Sequence, residues 1–348
     1  MIKTFREGIR EDRIGYSKIC KTYPKILGVG LSNRCNINPP CVMCSQRNLK
    51  NIEEKDMPEE ILKKLEDLIK KSKVLSLHGT GEPLLSSRLF DTIKLTKEDC
   101  WINFNSNGLL LTKDMSNKII NSNIKLINFS IDAAAPQTYQ KIRRNNLQKL
   151  KENIKYLQEL KKQKNKTFPI IRINIVLMKE NLSELPDFFY LAKELRAEGV
   201  HVYLLNKKNK TYTVKNKDFN FDYFEQMIDT NSPLFKRTIK KSQEISEKTN
   251  IRFYSNYKEI SDLLKKKQIK SKKLQEDIVL CKKPWTSALI KQDGQVKFCC
   301  FSSEIGDLKD KTFEEIWNSP NARQIRKKIL NNRLPEKCSR CPRIKINS

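Results

Sequence analysis

Three cysteines stand within ten positions of the sequence, in the stretch "CNINPPCVMC" that contains Cys35, Cys41 and Cys44. Three thiolates are one short of the four ligands of a structural zinc site, and an odd number of cysteines does not pair into disulfides. A cubane iron–sulfur cluster held by three thiolates keeps one iron without a protein ligand, where a small molecule can bind. The spacing therefore predicts a [4Fe–4S] cluster with an open iron. A zinc site that takes its fourth ligand from elsewhere in the chain is the alternative.

Five of the ten cysteines lie from residue 281 onward. The second candidate ligand set consists of Cys281, Cys299, Cys338 and Cys341. Four thiolates close a [4Fe–4S] cluster with no open iron, and the Cys-x-x-Cys end of this set also fits a structural zinc ribbon. Because adjacent residues cannot easily bind the same cluster, Cys300 is the alternative to Cys299.

Six short strand-like runs alternate with helical runs, and the first of them ends just before the three-cysteine stretch. The predicted strands are residues 25–33, 73–79, 101–107, 124–132, 169–178 and 200–206. Strict alternation indicates parallel strands with covering helices. We therefore predict an α/β fold, a partial (β/α)6 TIM-like barrel, with an open doubly wound sheet as the alternative. The strand ends would then meet where barrel enzymes place their active sites.

Along these strands one parity is apolar and the other is polar or small. The apolar positions predicted to face the helices are Ile102, Phe104, Ile127, Phe129, Ile131, Ile171, Ile173 and Ile175. The opposite parity carries Ser76, Asn103, Asn105, Asn128, Ser130, Asp132, Arg172 and Asn174. Buried polar groups need partners, so we expect a polar ligand across the carboxyl ends of the strands. Asp132, Arg172 and Asn174 are candidates for touching the substrate.

Changes of pattern predict four segments along the chain. They are an N-terminal extension (1–24), the barrel (25–206), a mainly helical connecting region (207–280) and a small cysteine-rich domain (281–348). The connecting region contains one further possible strand at "IRFYS", residues 251–255.

The composition is strongly basic, with 69 Lys and Arg against 40 Asp and Glu and a net charge of +29. The lysines are scattered and no stripe of base-stacking aromatics accompanies them, which favours solvated lysines over a nucleic-acid-binding face. Neither a signal peptide nor an apolar run of the roughly 18–20 residues that span a bilayer is found. Clustered cysteines without a secretion signal predict a cytoplasmic protein with no membrane partner.

Three further motifs follow consecutive predicted strands: "HGTGEP" (78–83), "FNSNG" (104–108) and "SIDAAAPQTYQKIRR" (130–144). Together with the three-cysteine loop, their order resembles the radical S-adenosylmethionine (SAM) superfamily over residues 25–206. Two features depart from the family's commonest pattern. Five residues separate Cys35 from Cys41 instead of three, and Met43 stands where an aromatic residue often precedes the last cysteine.

The resemblance implies that Cys35, Cys41 and Cys44 hold a [4Fe–4S] cluster whose fourth iron binds the amino and carboxylate groups of SAM. The implied SAM contacts are Gly79, Gly81 and Glu82 at the methionine amino group, and Asn105, Ser130 and Arg143 or Arg144 at the ribose or the methionine carboxylate. The C-terminal cysteines resemble the auxiliary-cluster domain of the same superfamily, in the short "twitch" form of the SPASM domain. This second resemblance implies an auxiliary [4Fe–4S] cluster.

The implied activity is reductive cleavage of SAM to a 5′-deoxyadenosyl radical, which abstracts a hydrogen atom from the substrate. The electron would come from a reductant such as flavodoxin or ferredoxin. An auxiliary cluster favours an oxidative outcome, so we predict an oxidoreductase that acts on a polar metabolite of the sugar or aminocyclitol class.

Two other functions remain open at this stage. The first is a peptide-modifying radical SAM enzyme, an epimerase or a crosslinking maturase, although the short segment before the first strand argues against a leader-binding domain. The second is a zinc-stabilised, basic nucleic-acid-binding protein.

Three cysteines belong to neither ligand set: Cys20, Cys100 and Cys300, the last of which adjoins Cys299. A buried inert thiol is the default for each, and donation of a hydrogen atom to a substrate radical is the alternative.

Overall fold

A computed structural model describes residues 16–44, 53–205, 213–215, 219–264 and 281–341. Its main feature is a ten-stranded sheet in the order β12-β11-β10-β1-β2-β3-β4-β5-β6-β9. The strands are β1 (Ile26–Val29), β2 (Val74–Leu77), β3 (Trp101–Ser106), β4 (Ile124–Ser130), β5 (Ile170–Leu177), β6 (Gly199–Leu204), β9 (Arg252–Ser255), β10 (Ser287–Ile290), β11 (Gln295–Lys297) and β12 (Glu304–Asp307). A separate two-stranded hairpin consists of β7 (Thr213–Lys215) and β8 (Asn220–Asp222).

Eight neighbouring strands, from β10 through β1–β6 to β9, run parallel. The six predicted strands are therefore confirmed, and the possible strand at "IRFYS" is β9. Among the described residues β9 and β10 do not pair with each other, so the parallel sheet stays open as the prediction of a partial barrel requires. The periodicity did not predict that β10, from the cysteine-rich segment, pairs with β1. The domain boundaries themselves stay a prediction.

Eleven α-helices connect or cover the described strands. They are α1 (Glu59–Lys71), α2 (Leu89–Lys94), α3 (Lys113–Ile120), α4 (Pro136–Arg143), α5 (Leu147–Gln163), α6 (Asp187–Glu194), α7 (Pro233–Thr249), α8 (Lys258–Leu264), α9 (Lys283–Thr286), α10 (Phe313–Trp317) and α11 (Pro320–Leu330). Short 3₁₀ helices span Pro83–Leu85, Lys179–Glu184 and Glu336–Arg340. Helix α5 begins where the side chain of Asn146 accepts a hydrogen bond from the amide of Lys149, which is the usual N-cap arrangement.

The predicted parity of the strands is confirmed by burial. Ile102, Phe104, Ile127, Phe129, Ile131, Ile171, Ile173 and Ile175 all lie in one core cluster with the apolar faces of α1 and α5. Each fully buried side chain of this size contributes roughly 1.5–3 kcal/mol. The core thus fixes which face of the sheet meets the helices and leaves the polar parity on the other face.

A second, smaller core lies beside the cysteine loop. Val42 and Ile142 pack there with Phe221 and Tyr223, which belong to β8 and the turn after it, and Met43 packs against this cluster. The hairpin therefore contributes apolar cover to the segment between Cys41 and Cys44. Within the described ranges, no helix is both long and apolar enough to cross a membrane.

Candidate active site at the carboxyl ends of the strands

The cysteine loop leaves the carboxyl end of β1 and is held by neighbouring loops. Arg34, directly before Cys35, makes a two-pronged ion pair with Asp56, with nitrogen–oxygen distances of 3.1 and 2.7 Å. The same guanidinium donates to the carbonyl oxygen of Leu85. The amide of Cys44 donates to the carbonyl oxygen of Cys41 at 2.9 Å, which closes the Cys-x-x-Cys turn. Sequence reasoning missed Arg34, whose only signal was its place beside the first cysteine.

Gly79 and Gly81 are placed against the chain's own backbone. A Cβ atom on Gly81 would lie 2.1 Å from the carbonyl oxygen of Arg34, and one on Gly79 would lie 2.9 Å from that of Ser32. A side chain at either position would push the "HGTGEP" turn off the cysteine loop. The glycines thus serve the close approach of two loops, and their contact with SAM stays a prediction.

Glu82 connects three loops. Its carboxyl group accepts from the hydroxyl of Ser106 at 2.8 Å and from the amide of Asn107 at 2.7 Å, and its own amide donates to the carbonyl oxygen of Arg34 at 2.7 Å. The residue is 2 % exposed. Burial raises the pKa of this carboxyl group against the lowering effect of the hydrogen bonds that it accepts. Glu82 therefore holds the ends of β2 and β3 against the cysteine loop, and the SAM contact that the resemblance implies for it stays a prediction.

Asn107 brings the end of β3 to the first cysteine. Its side-chain nitrogen donates to Asn36 Oδ1 at 2.8 Å and lies 3.9 Å from the sulfur of Cys35. Gly108 follows with a φ of 72°, the left-handed region that favours glycine. The "FNSNG" motif marks this turn in the sequence but does not by itself predict a role for Asn107.

A buried ion pair adjoins the second cysteine. Arg143, the last residue of α4, places Nη1 3.4 Å from the sulfur of Cys41 and Nε 2.6 Å from a carboxylate oxygen of Asp132. The side chain of Asp132 is 1 % exposed. Asp132 is therefore not available to touch a substrate, and that expectation is corrected. Arg172, the second such candidate, pairs instead with Glu198 at 2.7 Å.

Burial raises the pKa of the Cys41 thiol and outweighs the charge and the hydrogen bond of Arg143, which lower it, while Cys44 and Asp132 raise it slightly more. Burial likewise works against the charge of Arg143, but the Asp132 carboxyl and the Cys41 thiol outweigh it and raise the pKa of the guanidinium. Arg143 therefore remains a cation beside this sulfur. Its neighbours are the sulfur of Cys41 and the carboxylate of Asp132.

Arg144 follows α4 in the left-handed conformation, with a φ of 56°. Its Nε atom is buried and finds no hydrogen-bond partner among the described residues. A buried guanidinium nitrogen without a partner is costly, so the site lacks an acceptor that a bound group would supply. The resemblance implies that Arg143 or Arg144 contacts SAM. Because Arg143 is already paired with Asp132, Arg144 is the one that is available to bind a carboxylate.

The polar parity of the strands forms a connected row on the open face. The side-chain oxygen of Asn105 accepts from Asn128 at 3.0 Å and from Asn174 at 3.3 Å. Ser130 lies opposite Asn174 in the register of β4 and β5. Asn174 is 8 % exposed, and in the described part of the chain its Oδ1 atom has no hydrogen-bond partner. Asn105 is exposed on this face, where a ligand can reach it.

The C-terminal cysteines gather around one another. Burial and the nearby thiols of Cys299, Cys281 and Cys341 together raise the pKa of Cys338 to about 11. Burial also raises the pKa of Cys281, against a backbone hydrogen bond with Lys283 that lowers it, and the thiols of Cys299 and Cys341 raise it as well. Cys300 is exposed, and its thiol is not among those that raise the pKa of Cys281 or Cys338. The arrangement thus supports Cys299 over Cys300 as the ligand.

The other spare cysteines lie away from the carboxyl ends of the strands. Cys100 precedes β3 at the amino end of the sheet, where it is fully buried beside the hydroxyl of Ser72. Cys20 is 6 % exposed, and its amide donates to the side chain of Asn318 in the C-terminal segment. Neither position faces the loop that holds Cys35, Cys41 and Cys44. The default of an inert thiol fits both positions, and the alternative role as a hydrogen-atom donor stays a prediction.

Both cysteine groups suit iron–sulfur clusters in their donor chemistry. The first offers three thiols on one loop and an unsatisfied arginine beside it, and the second offers four mutually close thiols. In the described ranges, no three Cys, His, Asp or Glu side chains converge on a point that would hold a single metal ion. A cubane differs from such a site because each thiolate binds a different iron. The residues present therefore fit the predicted clusters.

Two sequence models of known families match the chain. The one described as the radical SAM superfamily matches residues 29–192. The chain belongs to the radical SAM superfamily. The second model, described as an iron–sulfur cluster-binding domain (SPASM), matches residues 281–342, and the two matches together span more than half of the chain. The family resemblance of the motifs is thereby confirmed, as are the two [4Fe–4S] clusters and SAM as cofactors.

Curated radical SAM relatives act on diverse substrates. The chain is 28% identical over 192 residues to the tungsten-containing aldehyde ferredoxin oxidoreductase cofactor-modifying protein of Pyrococcus furiosus, covering 52% of this chain and 51% of that protein. It is 26% identical over 184 residues to the AdoMet-dependent heme synthase of Methanosarcina barkeri, covering 52% and 51%. The chain thus spans about half the length of the curated relatives it matches.

Solved radical SAM structures share the fold over most of the chain. SuiB of Streptococcus suis bound to S-adenosylmethionine aligns with a TM-score of 0.61 at 15% identity, covering 87% of this chain and 68% of that one. The enzyme anSMEcpe with bound AdoMet and the Cp18Cys peptide aligns with a TM-score of 0.60 at 15% identity, covering 92% and 86%. At this identity the likeness concerns the fold alone.

Proposed function

We propose that this chain is a two-cluster radical SAM oxidoreductase that oxidises a polar, hydroxyl-rich substrate of the sugar or aminocyclitol class. The observation that carries the substrate class is the row of Asn105, Asn128 and Asn174, which ends in a buried oxygen of Asn174 that no described residue donates to. An acceptor of this kind is satisfied by a hydroxyl or amine of a bound molecule.

In this proposal Cys35, Cys41 and Cys44 hold the SAM-binding cluster. Arg144 donates to the methionine carboxylate, since its buried Nε atom has no other acceptor among the described residues. Asn105 and Ser130, on the open face of β3 and β4, bind the ribose or the substrate. Bound together, the reduced cluster and SAM supply a carbon-centred radical that takes a hydrogen atom from an unactivated C–H bond. The chain's own task is to hold that bond in place and to keep water away.

Cys281, Cys299, Cys338 and Cys341 would hold the auxiliary cluster, which would serve as the electron acceptor in the oxidation. The substrate would lose one hydrogen atom to the carbon-centred radical, then one electron to this acceptor and one proton to solvent. A one-electron reductant such as flavodoxin or ferredoxin would reduce the cluster at Cys35, Cys41 and Cys44 before SAM cleavage. None of the ten cysteines, all of which lie in the described ranges, forms a disulfide, which fits the reducing interior of a cell.

A second candidate is modification of a peptide. The structures of SuiB with its precursor peptide SuiA and of anSMEcpe with the Cp18Cys peptide resemble this chain with TM-scores of 0.61 and 0.60. The open edge of the sheet at β9 and the hairpin β7–β8 would border such a peptide. The description of the second family model as iron–sulfur cluster-binding favours iron over zinc, which leaves the nucleic-acid-binding alternative without support.

The decisive experiment is substrate-dependent SAM cleavage by the anaerobically reconstituted full chain. Aminocyclitols, sugars and short peptides would be supplied with SAM and dithionite, and 5′-deoxyadenosine and product masses would be measured. We expect a sugar or aminocyclitol to stimulate cleavage and to lose one hydrogen pair. Stimulation only by peptides would establish the second candidate instead. A colourless protein that retains zinc after anaerobic purification would refute both.

The orphan acceptor offers a matched pair of variants for the same assay. Asn174→Leu keeps the approximate size of the side chain but removes the acceptor, and Asn128→Ala removes only the neighbouring donor to Asn105. If the Asn174 oxygen binds a substrate hydroxyl or amine, substrate oxidation should fall further in Asn174→Leu than in Asn128→Ala, while both variants keep uncoupled SAM cleavage. Unchanged substrate oxidation in both variants would show that the row of Asn105, Asn128 and Asn174 does not bind the substrate.

A further inference from the structure

A chain of short contacts runs from the backbone of β5 to the sulfur of Cys41. The amide of Val176 donates to Asp132 Oδ1 at 2.6 Å. Asp132 Oδ2 lies 2.6 Å from Arg143 Nε, and Arg143 Nη1 donates to Cys41 Sγ at 3.4 Å. The Cys41 sulfur thereby has a cationic hydrogen-bond donor whose other end is fixed by a carboxylate.

The surroundings leave Arg143 little freedom. The side chains of Asp132 and Arg143 are 1 % and 12 % exposed. The carbonyl oxygen of Asp132 accepts from the side chain of Asn181 at 2.7 Å, and the amide of Val42 donates to the carbonyl oxygen of Ile142 at 3.0 Å. The first bond fixes Asp132 to the 3₁₀ helix after β5, and the second joins the end of α4 to the cysteine loop.

A buried ion pair is weak evidence for stability, because removing two charges from water offsets most of their attraction. A positioning role explains its location better. The planar guanidinium can meet a carboxylate with one edge and a sulfur with another, which a lysine cannot do. Arg144, the next residue, has a buried Nε atom with no hydrogen-bond partner among the described residues. Arg143 therefore contacts the Cys41 sulfur, and Arg144 is the arginine that can bind a ligand.

We propose that Arg143 is a positioning residue that raises the reduction potential of the cluster at Cys35, Cys41 and Cys44 through its hydrogen bond to the Cys41 sulfur, with Asp132 holding it in place. The inference rests on the proposed function to the extent that Cys41 is a ligand of that cluster. The reduced cluster carries one more negative charge than the oxidised one, and it gains that charge from an external one-electron donor. A cationic donor on a ligating sulfur stabilises the more negative form, since hydrogen bonds to the sulfurs and nearby charge tune such potentials.

The test is a redox titration of the reconstituted full chain followed by electron paramagnetic resonance, with dithionite as the reductant and neither SAM nor substrate added. We expect Arg143→Gln to shift the potential of the first cluster to a lower value while the signal of the auxiliary cluster keeps its potential. Asp132→Asn should lower the first potential by less than Arg143→Gln does, because loss of the arginine's orientation lowers the potential while loss of the buried aspartate charge raises it. Lys141→Gln is the matched control, since Lys141 lies on the same helix and pairs with Glu180 rather than with a cysteine.

An unchanged first potential in Arg143→Gln, at wild-type iron content, would overturn the proposal. If that variant loses its iron, Arg143→Lys decides the question. Lysine keeps the charge but cannot contact both Asp132 and Cys41, so we expect a lowered potential, and a wild-type potential would overturn the proposal. Failure of the proposed function has a different signature, namely a wild-type chain that binds no reducible cluster at Cys35, Cys41 and Cys44.

Discussion

The two ends of the parallel sheet carry different kinds of polar chemistry. At the amino end, Glu198 before β6 meets Arg172 at 2.7 Å and Arg252 at 2.8 Å, and Tyr254 donates to the same carboxylate. At the carboxyl end, Glu82 and Asp132 are almost fully buried and hold the cysteine loop. Charges at the amino end satisfy one another, whereas those at the carboxyl end surround thiols and leave Arg144 Nε without a hydrogen-bond partner among the described residues.

The pKa directions separate the two ends as well. Burial would raise the pKa of Glu198, but hydrogen bonds from Arg172 and Tyr254 and the two arginine charges outweigh it and lower the pKa. For Glu82 burial prevails and raises the pKa. The amino end therefore behaves as a stabilising ion cluster, and the carboxyl end as a site organised around a bound group. The following substitutions test that difference, from the largest expected effect to the smallest.

The largest effect is expected at the cysteine loop. Cys41→Ala should reduce reductive SAM cleavage to background and should remove about half of the iron, because a cubane needs its three thiolates. Cys100→Ala, at the amino end, should keep both properties. Iron analysis and 5′-deoxyadenosine assays of the two variants provide the measurement. Equal iron content in both variants would contradict the claim that only the carboxyl end of the sheet binds this cluster.

The auxiliary site should respond in a different way. Cys299→Ala should lose about half of the iron yet keep SAM cleavage, since the first cluster is untouched. Cys300→Ala should retain the full iron content, because Cys300 is exposed and lies outside the group of mutually close thiols. Loss of iron in Cys300→Ala with full iron in Cys299→Ala would reverse our choice of ligand.

Glu82 should matter for stability and for the site together. Glu82→Ala leaves the Ser106 hydroxyl and the Asn107 amide without their acceptor, at a cost of roughly 2–5 kcal/mol in unfolding free energy. Glu82→Gln should cost less, since a neutral amide resembles a carboxyl group whose pKa is raised by burial. Denaturant unfolding of both variants measures the difference, and equal losses would show that the carboxyl group has no special part in joining these loops.

The smallest effect is expected at Glu198. Glu198→Gln should lower the unfolding free energy by about 1 kcal/mol at neutral pH and leave iron content unchanged. A carboxylate with a lowered pKa stabilises the fold above the pKa of the unfolded chain, about 4.3, and that contribution is lost as the pH falls through the lowered value. The gap between wild type and variant should therefore narrow below about pH 4.3. A gap that is constant from pH 7 to pH 3 would mean that Glu198 acts by packing and not by charge.

The sequence by itself determined the fold class, the six successive strands and the two cysteine groups. Period-two alternation in runs such as residues 101–107 records which side chains meet the helices, because burial selects apolar residues at every second position. The motifs after β2, β3 and β4 could be recognised because turns at strand ends require particular residues at fixed spacing. The identity of the family followed from the order of these motifs.

Only the tertiary structure decided what the polar residues at the strand ends contact. The positions of α4 and of three separate turns in space decide whether Arg143 or Arg144 faces the sulfur of Cys41. They also decide that Glu82 joins the loops. Neither the arginine pair nor the cysteine pair 299–300 differs in local spacing, so no periodicity distinguishes their members. Hydrogen bonds between elements distant in the sequence make those choices, and the pairing of β10 with β1 is decided in the same way.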